Sequence, residues 1–102
     1  MAGIVAYRND IKPFAELVLD GGSHVTITLD TEGAVIRQIS GAAETGEILF
    51  RGSPETVARI SAGLTDGKGR DPLHVLVNAA LGLGSAAKIR EAFRRLAAIV
   101  VT

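Results

Sequence analysis

Ser23-His-Val-Thr-Ile-Thr-Leu-Asp30 decides the fold, because Val25, Ile27 and Leu29 alternate without interruption against His24, Thr26, Thr28 and Asp30. Period-two alternation rich in β-branched residues marks a strand that buries one face and wets the other. Upstream, Phe14-Ala-Glu-Leu-Val-Leu19 runs into Asp20-Gly21-Gly22, whose glycines suit the positive φ of a tight hairpin. Downstream, Asp30-Thr-Glu-Gly33 reads as a turn closed by a left-handed glycine, and it opens Ala34-Val-Ile-Arg-Gln-Ile39. These three segments make an antiparallel meander. Glu47-Ile-Leu-Phe-Arg51 follows as a fourth strand after a loop at 41–46, and a short strand at 4–7 brings the sheet to five.

A three-residue loop after Asp30 sets Asp30 opposite Ala34, and Leu29, Ile27 and Val25 opposite Val35, Arg37 and Ile39. On that register Arg37 turns toward the apolar face. Three solutions are open: another register, a place at the core margin with the stem buried and the head in water, or retention for a ligand.

The pattern changes at Gly52-Ser-Pro-Glu55. Serine as N-cap, proline at the first helical position and glutamate in the first turn suit the unpaired amides of a helix start. Val57, Ile60 and Leu64 then recur at helical spacing up to a stop near Gly63. Asp71-Pro72 repeats the start, with a stripe of Leu73, Leu76, Val77, Ala80 and Leu81 that Gly82-Leu-Gly84 ends. Ser85 caps a third helix with apolar positions Ile89, Ala92, Phe93, Leu96 and Val100, and 99–101 either completes it or forms a last strand. Strands followed by helices predict an α+β fold: an antiparallel sheet of three to five strands packed by two or three C-terminal helices.

A chain of 102 residues accommodates one ordinary hydrophobic core, so 1–102 is read as a single domain, strand-rich over 1–51 and helical over 52–102. With three Phe and one Tyr, that core is built from Val, Ile, Leu and Ala. The lack of cysteine excludes disulfides, thiolate metal sites and cysteine nucleophiles. No apolar run nears the roughly 18 residues of a membrane span, and the N-terminus lacks a signal-peptide pattern, so a soluble cytoplasmic protein is expected. Net charge is zero, but residues 1–50 carry three Lys/Arg against seven Asp/Glu, and residues 51–102 carry eight against four. Such halves permit head-to-tail self-association or an acidic partner on the helical side, and Ala86, Ala87, Ala92, Ala97 and Ala98 of the last helix, with the sheet edges, would also suit a homodimer.

Three groups of residues invite functional readings. Residues 72–98 form a helix-turn-helix-like pair whose second helix bears Lys88, Arg90, Arg94 and Arg95, a basic face that fits DNA phosphates or an acidic protein. Neutral overall charge and Ala86-Ala87 at the base-reading end argue for a packed helical hairpin with a solvated face. The loop Asp66-Gly-Lys-Gly-Arg70 offers Lys68 and Arg70 to an anion, but it follows a helix and lacks the phosphate-loop spacing, so an ordinary connection accounts for it. His24 and His74 match no metal-ligand spacing with nearby carboxylates, and Ser23 and His24 are strand neighbours that point to opposite faces. Neither metal nor cofactor nor catalytic constellation is therefore expected.

The leading expectation is a small non-catalytic interaction domain, an inhibitor, adaptor or assembly factor, that meets a protein partner through Lys88, Arg90, Arg94 and Arg95 or through a sheet edge. A DNA-binding regulator using 72–98 is the alternative. A small-ligand binder or enzyme working through Arg37, His74 and the 66–70 loop is a further one.

Overall fold

The computed structural model describes residues 2–10, 12–39, 46–65 and 71–101. Five strands, β1 (Gly3–Arg8), β2 (Phe14–Val18), β3 (His24–Asp30), β4 (Gly33–Ile39) and β5 (Ile48–Gly52), precede helices α1 (Pro54–Leu64), α2 (Pro72–Leu83) and α3 (Ala86–Val101). The strands form one antiparallel sheet in sequence order, and all three helices pack on the same side of it. This is the α+β arrangement of meander first and helices after, with the sheet at its full five strands. Residues 99–101 complete α3 and do not form a strand.

The sheet's inner face follows from the alternation. Ala15, Leu17, Val25, Ile27, Ala34 and Ile36 are all buried, while their sequence neighbours in the same strands, Gly33 apart, are not. Against them lie Leu73, Leu76, Val77 and Ala80 of α2, Val57 and Ile60 of α1, and Ile89 and Phe93 of α3. Phe93 meets Phe50 of β5 with ring centroids 5.3 Å apart in a tilted pair, a favourable geometry for two quadrupoles. Val75 is also buried although it lies off the predicted stripe, and Leu64, predicted on a stripe, is exposed at the end of α1.

Each helix begins as its residue types dictate. Ser53 Oγ accepts from Thr56 N at 3.2 Å, Asp71 Oδ1 from Leu73 N at 3.3 Å, and Ser85 Oγ from Lys88 N at 3.3 Å. α2 is held at both ends. Gly84 closes it in the left-handed region at φ 78°, and the Gly84 carbonyl accepts from Asp20 N at 3.0 Å, which fixes that end to the turn after β2.

The β3–β4 register departs from the three-residue loop. Asp30 pairs with Gly33, Leu29 with Ala34, Ile27 with Ile36 and Thr26 with Arg37, so only Thr31 and Glu32 form the turn. The one-residue shift moves Val35, Arg37 and Ile39 to the outer face and Ala34 and Ile36 to the core. Neither Thr31 nor Glu32 is a residue that two-residue hairpins usually demand, which is why the sequence pointed to a longer loop. Asp30 Oδ1 stabilises the tight turn by accepting from Glu32 N at 2.7 Å. Gly33 has a different task from the one its place suggested. It opens β4 at φ 123°, where an added Cβ would come within 1.8 Å of the Gly52 carbonyl oxygen on β5.

Both edge strands carry a bulge. Val5 is the extra residue between the Ile4–Leu17 and Ala6–Glu16 pairs, and Leu49 between the Phe50–Ile36 and Ile48–Arg37 pairs. Bulges twist an edge away from accidental pairing. The one on β5 also lets consecutive residues, Leu49 and Phe50, both be buried.

Two glycine substitutions separate conformation from space. Gly33→Ala is expected to lower the unfolding free energy by about 3 kcal/mol, since both the positive φ and the approach to Gly52 forbid a methyl group. Gly63→Ala, in α1 with open space around its Cβ, is expected to raise it by about 0.5 kcal/mol. Urea denaturation of both variants measures the difference.

Candidate functional site

Arg37 and His74, singled out in the sequence as contacts for one ligand, do not come together. Arg37 lies on the outer face of the sheet, and His74 lies in the helical layer on the other side. Lys68 and Arg70, with the rest of the 66–70 loop, fall outside the described residues, as does most of the 41–46 loop.

His74 borders a cleft of about 360 Å³ between the end of α1 and α2, walled by Leu64, Thr65, Val75 and Ala79. Its Nε2 is 3.0 Å from the Asn78 side-chain amide one turn on, which occupies its polar edge within the helix. His24 on β3 has its Nδ1 3.6 Å from Glu16 Oε1 on the neighbouring strand. Among the described residues no cluster of three His, Cys, Asp or Glu side chains can hold a metal ion. No helix among them is long and apolar enough to cross a membrane.

The basic face of α3 is partly neutralised. Arg90 reaches Glu47, just before β5, at 2.5 Å, and Arg95 reaches Glu91 one turn back at 2.6 Å. Lys88 and Arg94 keep their charges unpaired among the described residues, so two of the four predicted contacts are committed within the chain. Only Gly84 and Ser85 separate α2 from α3. That connection is shorter than the three or four residues of a DNA-binding helix-turn-helix, and Glu91 stands among the cations that would face phosphate.

The outer face of the sheet brings polar, charged and apolar side chains together. Cross-strand pairing sets Glu16, Thr26, Arg37 and Ile48 in one row, and Phe14, Thr28, Val35 and Arg51 in the next. Val18, His24 and Ile39 form a third. Neighbouring strands are about 4.8 Å apart, so Glu16 and Arg37 stand roughly 10 Å from each other across Thr26. Between these rows is a shallow concavity of about 420 Å³ that also touches Lys12. Arg37 has no hydrogen-bond or ion-pair partner among the described residues, and its Nε is enclosed without an acceptor. The sequence singled out Arg37 but not its neighbours, because the assumed register turned it inward; on the observed one, simple alternation places Phe14, Glu16, Thr26, Thr28 and Ile39 on the same face.

A second polar cluster ties β1 to α2. Asp71, the N-cap of α2, accepts from the Tyr7 hydroxyl at 3.1 Å and from the Asn9 side-chain amide. Partial burial raises the Tyr7 pKa above its ordinary value, and the hydrogen bond to Asp71 and that carboxylate's charge add to the rise. The chemistry is structural: one carboxylate joins an edge strand to a helix start. Compared with known protein families, curated proteins and solved structures, the chain matches none, so its function must be read from its own residues.

The Tyr7–Asp71 contact has a pH signature. A phenol whose folded pKa is raised binds its proton more tightly in the native state, so its stabilisation is complete below about pH 10 and lost as pH rises through the folded value. Tyr7→Phe is expected to cost about 0.5–1 kcal/mol at neutral pH, a modest loss because the pair is half exposed. The deficit should shrink above pH 10, where the wild type weakens and the variant does not. Urea midpoints between pH 7 and 11 measure it; a deficit that grows with pH would rule the contact out.

Proposed function

We propose that this chain is a non-catalytic cytoplasmic interaction module that docks a protein partner on the open face of its sheet. One observation carries the reading: the helices roof a single face, and the other presents Phe14, Val18, Val35, Ile39 and Ile48 around an unpaired arginine. Partly exposed apolar and aromatic side chains with an arginine at the centre have the composition of interface hot spots. The face also carries Lys12, Arg37 and Arg51 against Glu16 and Asp30, which favours an acidic partner. Two further features support binding over catalysis. His24 and His74 sit apart beside Glu16 and Asn78, and two of the four cations expected to meet a partner from α3 are engaged within the chain.

A photo-crosslinking amino acid at Thr28, on the open face, is expected to trap the partner in cells of origin, and the same probe at Arg94 on α3 is not. Val35→Glu combined with Ile39→Glu should weaken the trapped complex by at least about thirtyfold while leaving the circular dichroism spectrum and melting temperature nearly unchanged. Trapping from Arg94 with none from Thr28 would return the contact to the last helix and overturn this assignment.

A further inference from the structure

The concavity on the outer face is built around one positive charge. Arg37 comes from β4, and its stem runs close to the backbone at Gly46, where an added Cβ would lie 3.1 Å from Arg37 Cγ. The stem is thus packed near Gly46, and among the described residues no ion pair holds the guanidinium. Its enclosed, unsatisfied Nε is an energetic reason for an acceptor to enter and for the group to turn and pair with it. The hydroxyls of Thr26 and Thr28 line the same space and can donate to an oxygen held there.

Charge selects the kind of anion. Lys12 and Arg37 contribute two positive charges to the lining and Glu16 one negative, a net of plus one. A singly charged group is matched, whereas a doubly charged phosphate would face the Glu16 carboxylate. Phe14 and Ile39 form the apolar walls. We infer that this cradle binds a carboxylate carried on an apolar stem, with the carboxylate forked onto Arg37 and the stem against Phe14 and Ile39. A free organic acid and an acidic side chain of a docked protein present the same chemistry. The inference uses the open face on which the docking assignment rests, but it can be tested on the purified chain alone.

The test is an amide and arginine Nε–Hε NMR titration of the full chain with four probes. These are phenylacetate, its neutral isostere phenylacetamide, and the blocked tripeptides acetyl-Leu-Glu-Leu-amide and acetyl-Leu-Gln-Leu-amide. Phenylacetate is expected to bind at low-millimolar concentration, about what its ten or so heavy atoms allow, and to shift Thr26, Thr28 and the Arg37 Nε–Hε signal. Phenylacetamide should leave them unmoved. Arg37→Gln should weaken phenylacetate about tenfold, and Thr26→Val should weaken it less while giving a wild-type-like spectrum, so a loss seen in both is not a loss of fold. Shifts from the glutamate peptide and not from phenylacetate would assign the carboxylate to a protein, and the reverse would assign it to a free acid; either result upholds the cradle. Equal shifts from an acid and its amide, displacement of phenylacetate by equimolar inorganic phosphate, or no shift from any probe would overturn it. Failure here with crosslinking from Thr28 intact would remove only the carboxylate site. Crosslinking from Arg94 with this titration intact would remove only the docking surface.

Discussion

One contact surface governs the molecule: the inward row of Leu17, Val25, Ile27 and Ile36 closed by Leu73, Leu76, Ile89 and Phe93. Burying each such side chain stabilises by about 1.5–3 kcal/mol, and together they oppose the conformational entropy of ordering the chain. A sheet has two faces, and among the described residues only one of them is roofed. With three helices all drawn to the inner face, the outer face keeps whatever side chains alternation delivers to it, and the recognition proposed above rests on those side chains.

The roof is aligned by polar contacts at its ends. Asp71 does three things at once, since it caps α2 and accepts from Tyr7 and Asn9 of the edge strand region, while Asp20 N holds the Gly84 carbonyl at the far end of the same helix. α2 is therefore fixed lengthwise along the sheet, which keeps Leu73 and Leu76 in register with the strands below. The approach of Gly33 to Gly52 holds β4 close to β5, the strand whose Phe50 meets Phe93 of α3.

Much of this was legible in the chain. The alternation from Val25 to Leu29, the Ser-Pro and Asp-Pro helix starts and the stop at Gly84 are local signals, each with its own physical cause, and all three appear in the fold. What misled was a turn. Gly33 looked like the left-handed residue of a three-residue loop, but its glycine character is required by a strand that arrives some twenty residues later, and no local pattern announces that encounter. The single-residue error inverted β4 and carried Arg37 from the outer face to the core. Arg90 and Arg95 show the same limit: their charges are plain in the sequence, whereas the pairing of Arg90 with Glu47 depends on where α3 lands.

The orientation of β4 is the point on which the open face, its lattice and its cation all depend. Because the chain has no cysteine, single-cysteine probes report it cleanly. Native-state labelling by a small thiol reagent should be rapid for Arg37→Cys and slow for Ile36→Cys, in step with the outward and inward positions of the two residues. Rapid labelling at 36 with protection at 37 would mean that the strand faces the other way, and the one-roofed sheet described above would be contradicted.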